Sequence, residues 1–260
     1  MRTTTLLLVL VSFLPGKTPG EELFKGYKAT MVVYDQNEQN YIIMNEARAP
    51  ERFTPFSTHK VPHSIIALES GRVGSIDEPL SWDSIKFPEE DWWPMTWKGE
   101  HTLRSAIQVS LVPAYRQIAS DLGAKAMSGY MEKFDYGNAD ISSGVDSYWL
   151  NGSLQISAME QVNFLRRFHT GTLDVSPEVT AAVKTILVRD SEEAYTFSHK
   201  TGTGTIDQET RTAIAWLVGY VERDGNVYFF AFNMEAPNFN EAVNVRMQIA
   251  TNVLTHLGIL

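Results

Sequence analysis

Residues Ser57-Thr58-His59-Lys60, with the apolar run 61–68 behind them, constrain this chain most tightly. A serine and a lysine three apart lie on the same side of a helical turn. Pro62 lacks an N–H and is tolerated only in the first turn of a helix, so the helix begins close to Ser57. A side chain there faces free backbone N–H groups, which suit an oxyanion. A serine hydroxyl is a poor nucleophile until a base takes its proton, and an uncharged lysine, or a group made from it, is such a base. Ile65, Ile66 and Leu68 supply the buried face. Taken alone, the same residues read as a capped helix with a solvated lysine, because one such pair is expected by chance in a chain of this length.

Composition narrows the options. A chain of 260 residues, 43% apolar and 11% aromatic, can bury a sizeable core. The net charge of −9, with no basic patch, argues against a nucleic-acid partner. The absence of cysteine excludes disulfides, thiolate metal sites and a cysteine nucleophile. Arg2, an apolar run over 6–14 and Pro15-Gly16-Lys17 have the form of a short secretory signal occupying about residues 1–20. Such a run is too short to span a membrane. The expectation is a periplasmic or secreted catalytic domain, 21–260, without membrane attachment after signal removal.

Two β-rich runs, 27–34 and 41–44, flank Asp35-Gln36-Asn37-Glu38 as a hairpin. The Ser57 helix should stop near Gly71 or Gly74. Residues 75–101 read as irregular and hold Trp82, Trp92, Trp93 and Trp97, either a binding surface or a cover over the core. Helices follow over 102–109, 113–122 (ended by Gly123) and 124–134. Another opens at Ser157 with a Glu160 capping box, and a further one at Ser176-Pro177-Glu178. Strands are expected over 194–200, 212–222 and 226–234, the last two joined at Asp224-Gly225, before a final helix over 240–257. The expected fold is α/β of the α+β type. N- and C-terminal strands pair in one antiparallel sheet flanked by helices, with a helical subdomain inserted at about 75–190 and the Ser57 helix at the seam.

Three further motifs are weak individually. Ser110-Leu111-Val112 reads as a helix cap, Tyr136-Gly137-Asn138 as a helix stop, and Lys200-Thr201-Gly202 as a strand end with a solvated lysine. Their order and spacing after Ser57 and Lys60 are specific, since Ser-x-x-Lys with Lys-Thr-Gly is the signature of penicillin-recognising serine enzymes. From about Lys25 to Leu260 the chain resembles the class D β-lactamases, the oxacillinase group. Residues 134–141, 149–154, 161–165 and 199–204 carry this, and Tyr-Gly-Asn replaces the Ser-Asp-Asn of class A.

The resemblance implies hydrolysis of the β-lactam amide of penicillin-type antibiotics, and hence antibiotic resistance. Ser57 is implied as the acylated nucleophile and Lys60 as a carboxylated lysine, the general base, made from CO2 or bicarbonate with no other cofactor and no metal. Ser110 is implied as a proton relay and Lys200 as a catalytic partner that, with Thr201, holds the substrate carboxylate. Arg246 is implied to help bind that carboxylate, and its fork suits the task. Gly202, Tyr136, Asn138 and Val112 complete the implied substrate site. The backbone N–H groups of Ser57 and Thr203 are implied as the oxyanion hole, and the Trp149 indole N–H as support for the carbamate. Read from the residues alone, Trp149 is core packing and Arg246 a surface arginine.

The chain departs from the family at His59, usually phenylalanine, and His63, usually asparagine. Two histidines four apart can grip a metal, but no third ligand is evident, and His101, His169, His199 and His256 read as structural or surface. Two other functions compete with the hydrolase: a penicillin-binding sensor or transpeptidase-like protein that is acylated without deacylating, and a non-catalytic binding module. A tethered sensor would carry membrane spans ahead of this domain, and none is read here, which favours the free hydrolase. A monomer or weak homodimer is expected.

Overall fold

The computed structural model describes residues 20–260; the expected signal segment lies almost wholly outside them. A six-stranded antiparallel sheet organises the rest, in the order β2-β1-β8-β7-β6-β5. Its strands are β1 (Ala29–Asp35), β2 (Asn40–Met44), β5 (Val188–Ser191), β6 (Tyr195–Thr205), β7 (Ala213–Arg223) and β8 (Asn226–Ala236). The first hairpin therefore pairs with the C-terminal strands, Ala29 opposite Met234 and Asp35 opposite Tyr228. A two-stranded ribbon, β3 (Pro79–Leu80) with β4 (His101–Thr102), closes the ends of the tryptophan-rich segment.

Side chains alternate across a strand, so the central strands feed two cores. Ile214, Trp216, Val218 and Tyr220 of β7 join the core beneath the helical block. Ala213, Ala215, Leu217 and Val221 join the core under the last helix. That is why β7 reads as an almost continuous apolar run rather than an alternating one.

The helices are α1 (Lys60–Glu69), α2 (Leu103–Val109), α3 (Val112–Lys133), α4 (Ala158–His169), α5 (Pro177–Leu187) and α6 (Phe239–His256). The expected pair 113–122 and 124–134 is present within the span α3: the backbone leaves helical geometry at Gly123 (φ 78°, ψ 165°), which separates the two helices. Ser157 and Glu160 form the expected reciprocal capping box at α4. Residues 60–67 of α1 are buried on every side, as befits a central helix.

The Lys-Thr-Gly segment differs most from its reading in isolation. Rather than ending at Lys200, β6 runs on to Thr205, and Lys200 is buried. The cause is a one-turn 3-10 helix, Phe56–His59, lying directly on the strand. A Cβ at Gly202 would come within 2.7 Å of the Pro55 carbonyl oxygen, and one at Gly204 within 2.0 Å of the Phe56 ring. Glycines inside this strand mark that close approach. We expect Gly204→Ala to destabilise the fold by about 1–3 kcal/mol through overpacking, read as a lowered urea midpoint at unchanged m-value.

Candidate active site

The nucleophile turn is held in an uncommon backbone conformation. Phe56, just before Ser57, has φ 49°, and Ser110, the cap residue of α2, has φ 60°. Non-glycine residues in this left-handed region are sparse and collect at functional sites. Each turn presents a serine to the same cleft, and each serine has its own lysine. Lys60 Nζ donates to Ser57 Oγ at 3.1 Å. Lys200 Nζ donates to Ser110 Oγ at 2.5 Å and to the Thr201 carbonyl at 3.0 Å.

Both lysines are buried, and burial disfavours the charged form. It lowers Lys60 to about 7, so about half of the amine is uncharged at neutral pH and most of it above. Lys200 is lowered well below its ordinary value, first by burial and then by the charge of Lys60. These two amines therefore compete for protons across the two serines.

The cleft encloses about 440 Å³ and is lined by Ser57, Ser110, Val112, Thr201, Gly202, Thr203 and Arg246. The residues sequence comparison picks out are thus gathered from four elements. Arg246 donates to the Thr203 hydroxyl, which donates at 2.7 Å to the Gly202 carbonyl. Burial lowers Arg246 to about 10, leaving it charged at neutral pH. The charge of Arg246, with the donors of Lys200 and Thr201, makes a donor-rich end suited to an anionic ligand.

Two predicted residues lie elsewhere. Tyr136 is fully buried, with its hydroxyl donating to Gln161 Oε1 at 3.3 Å. Asn138 is spent on loop structure, donating to the Ser153 carbonyl at 2.7 Å and accepting from the Gln155 N–H at 2.9 Å. Neither lines the cleft, so any action on a ligand is indirect.

Other cleft residues were missed or left open. Trp93 and Trp97 pack edge to face at 5.5 Å and, with Trp92 and Phe87, form one aromatic wall. The tryptophan-rich segment is therefore both cover and surface. Phe239 and Val243 face them from α6. Their spacing with Arg246 is that of one helix face, a signal the sequence did contain.

Behind the nucleophile lies a buried aromatic cluster. His59 stacks on Trp149 with 27° between rings, and its Nε2 lies 2.8 Å from the Tyr148 hydroxyl. His63 meets Trp149 and Tyr115 edge-on, each at 5.1 Å. Burial, the dominant cause for both histidines, drives His59 well below its ordinary value and His63 to about 3. His59 thus packs as a neutral aromatic ring. No group of three or more His, Asp or Glu side chains suited to a metal occurs among the described residues.

Residues 29–255 match the penicillin binding protein transpeptidase domain. The β-lactamase OXA-10 of Pseudomonas aeruginosa is 39% identical over 82% of this chain and 78% of its own length. The chain belongs to the class D β-lactamase family. The solved class D enzyme FUS-1 (OXA-85) of Fusobacterium nucleatum subsp. polymorphum has a TM-score of 0.85 at 33% identity, covering 93% of this chain and 98% of that one. The regulatory protein BlaR1 of Bacillus licheniformis is 32% identical over 95% of this chain but only 41% of its own length.

Proposed function

We propose that this protein is a serine hydrolase that opens the β-lactam ring of penicillin-type antibiotics through an acyl-enzyme on Ser57, conferring resistance from the periplasm or outside the cell. The observation that carries this reading is the pair of serine–lysine contacts at one cleft, Ser57–Lys60 and Ser110–Lys200, in a member of this family.

In the first half-reaction Ser57 Oγ attacks the lactam carbonyl carbon, the C–N bond breaks, and the amide nitrogen leaves. The Oγ proton passes to the base at Lys60. Ser110, hydrogen-bonded to Lys200, delivers a proton to the leaving nitrogen. The Ser57 and Thr203 N–H groups receive the developing oxyanion. Lys200, Thr201 and Arg246 hold the ligand carboxylate. A water then cleaves the ester, releasing the acid and restoring the Ser57 hydroxyl.

Carboxylated on Nζ by CO2, with loss of one proton, Lys60 supplies the general base for both halves. The surroundings fit that group. Only an uncharged amine takes up CO2, and burial favours that state. The Trp149 indole N–H is buried without a partner, and buried donors are almost always paired.

The test is benzylpenicillin hydrolysis by purified protein with intact-mass readout. We expect turnover by the wild type, and neither turnover nor a mass increase for Ser57→Ala. A second reading, an acylated sensor, follows from the match to BlaR1. It predicts a lasting mass increase on Ser57 without turnover.

A further inference from the structure

The buried cluster behind Lys60 holds more unpaired polar atoms than Trp149 explains. Both ring nitrogens of His63 and Nδ1 of His59 are buried and without partners, as is Trp149 Nε1. A neutral imidazole always presents one N–H donor and one acceptor. Buried donors and acceptors are almost always paired, so these ring nitrogens call for a partner.

The positions are specific. Lys60 and His63 are three apart on α1 and so share a helix face. Lys60 Nζ lies 5.3 Å above the centre of the Tyr115 ring, and His63 meets the edge of the same ring. Trp149 also meets His63, at 5.1 Å between ring centres. Lys60, His63 and Trp149 therefore border one buried spot. His59 is placed differently: Nε2 is engaged with Tyr148, and its face lies flat on Trp149. It orients the indole rather than reaching the lysine.

We propose that His63 is a positioning residue that donates a ring N–H to the carboxyl group on Lys60, sharing that group with the Trp149 indole. This rests on the carboxylated-lysine reading above. A carboxylate accepts several hydrogen bonds; Ser57 Oγ lies 3.1 Å from Lys60 Nζ, and the unpartnered ring nitrogens of Trp149 and His63 lie in the cluster that adjoins it. His63 remains neutral there, so it contributes a donor rather than a second charge.

The test measures carboxylation directly. Protein freed of CO2 is titrated with 13C-bicarbonate, and the carbamate 13C resonance of Lys60 is followed. In His63→Phe, which keeps an aromatic ring but no N–H, we expect the half-saturating bicarbonate to rise about ten-fold or more, the weight of one hydrogen bond to a charged group. His63→Gln, which restores a donor, should return most of that loss. An unchanged half-saturation in His63→Phe, beside a normal wild-type signal, overturns the role of His63 alone. No wild-type carbamate signal overturns the Lys60 reading and this proposal with it. Should His63→Phe fail to fold, the 15N-labelled wild type decides: a downfield shift of the His63 ring N–H on adding bicarbonate supports the proposal, and an unmoved resonance overturns it.

Discussion

Lys60→Ala should lower kcat/KM for benzylpenicillin by about 10⁴-fold, the upper range for loss of a positioned general base, and added bicarbonate should not restore it. The lysine is asked to serve twice, taking the Ser57 proton and later activating water, so both halves of the reaction lose their base. The residual acyl-enzyme should therefore persist, visible as a stable mass increase wherever acylation still occurs. The wild type should gain activity with bicarbonate, and need more of it as the pH falls. Lys60 is lowered to about 7 by burial, so below that pH the amine protonates and no longer takes up CO2. Retention of turnover within ten-fold in Lys60→Ala would remove Lys60 from the chemistry. The same substitution has a second consequence. The bare Lys60 ammonium lowers Lys200, after burial, but a carboxylated Lys60 is an anion that favours the Lys200 cation, so in the variant Lys200 should lose its proton at lower pH than in the carboxylated wild type. A shift of the basic limb of any residual activity to lower pH would report that.

The architecture was legible wherever local chemistry decides it. The Ser157–Glu160 box, the Ser176 cap and the Asp224-Gly225 hairpin each satisfy backbone groups within a few residues, so the sequence carries the whole interaction. The site was legible in its order of motifs but not in its burial. Lys200 by itself looks like a solvated strand end. It is buried because Gly202 and Gly204 let the Phe56–His59 turn settle on the strand, a contact between segments far apart in sequence. Strand β5 went unread because α5 runs into it at Val188 with no turn residue between them. Tyr136 lay in the right motif yet faces the interior, where only the packing of α4 could place it. Arg246 needed the fold to bring the last helix to the mouth of the cleft.

The second large effect concerns acid. The fold should unfold cooperatively as the pH falls from about 6.5 towards 4, earlier than its carboxylates alone would require. His59, His63 and His199 are all held below their ordinary value, with burial the first cause in each. Between the folded and unfolded values the unfolded chain binds the extra protons, so stability is complete above 6.5 and is lost as the pH drops below it. For His63, lowered from 6.5 to about 3, the part of the gap crossed between pH 6.5 and 4 corresponds to about 3 kcal/mol. His199, lowered to about 3 and also held by the charges of Arg189, Lys200 and Arg246, adds a comparable amount. Together these approach the whole stability of an ordinary domain, about 5–15 kcal/mol. Urea midpoints across this range should therefore fall steeply, and His63→Phe should flatten the slope by about 1.4 kcal/mol per pH unit, the weight of one proton. A slope unchanged by that substitution would mean that His63 is solvated rather than sealed among Trp149, Tyr115 and His59. The link to activity is direct, because the same sealing that keeps His63 neutral keeps Lys60 uncharged. Cooperative unfolding in acid opens the cluster and raises Lys60 towards its solvent value, so turnover and the far-ultraviolet circular dichroism of the sheet should be lost together.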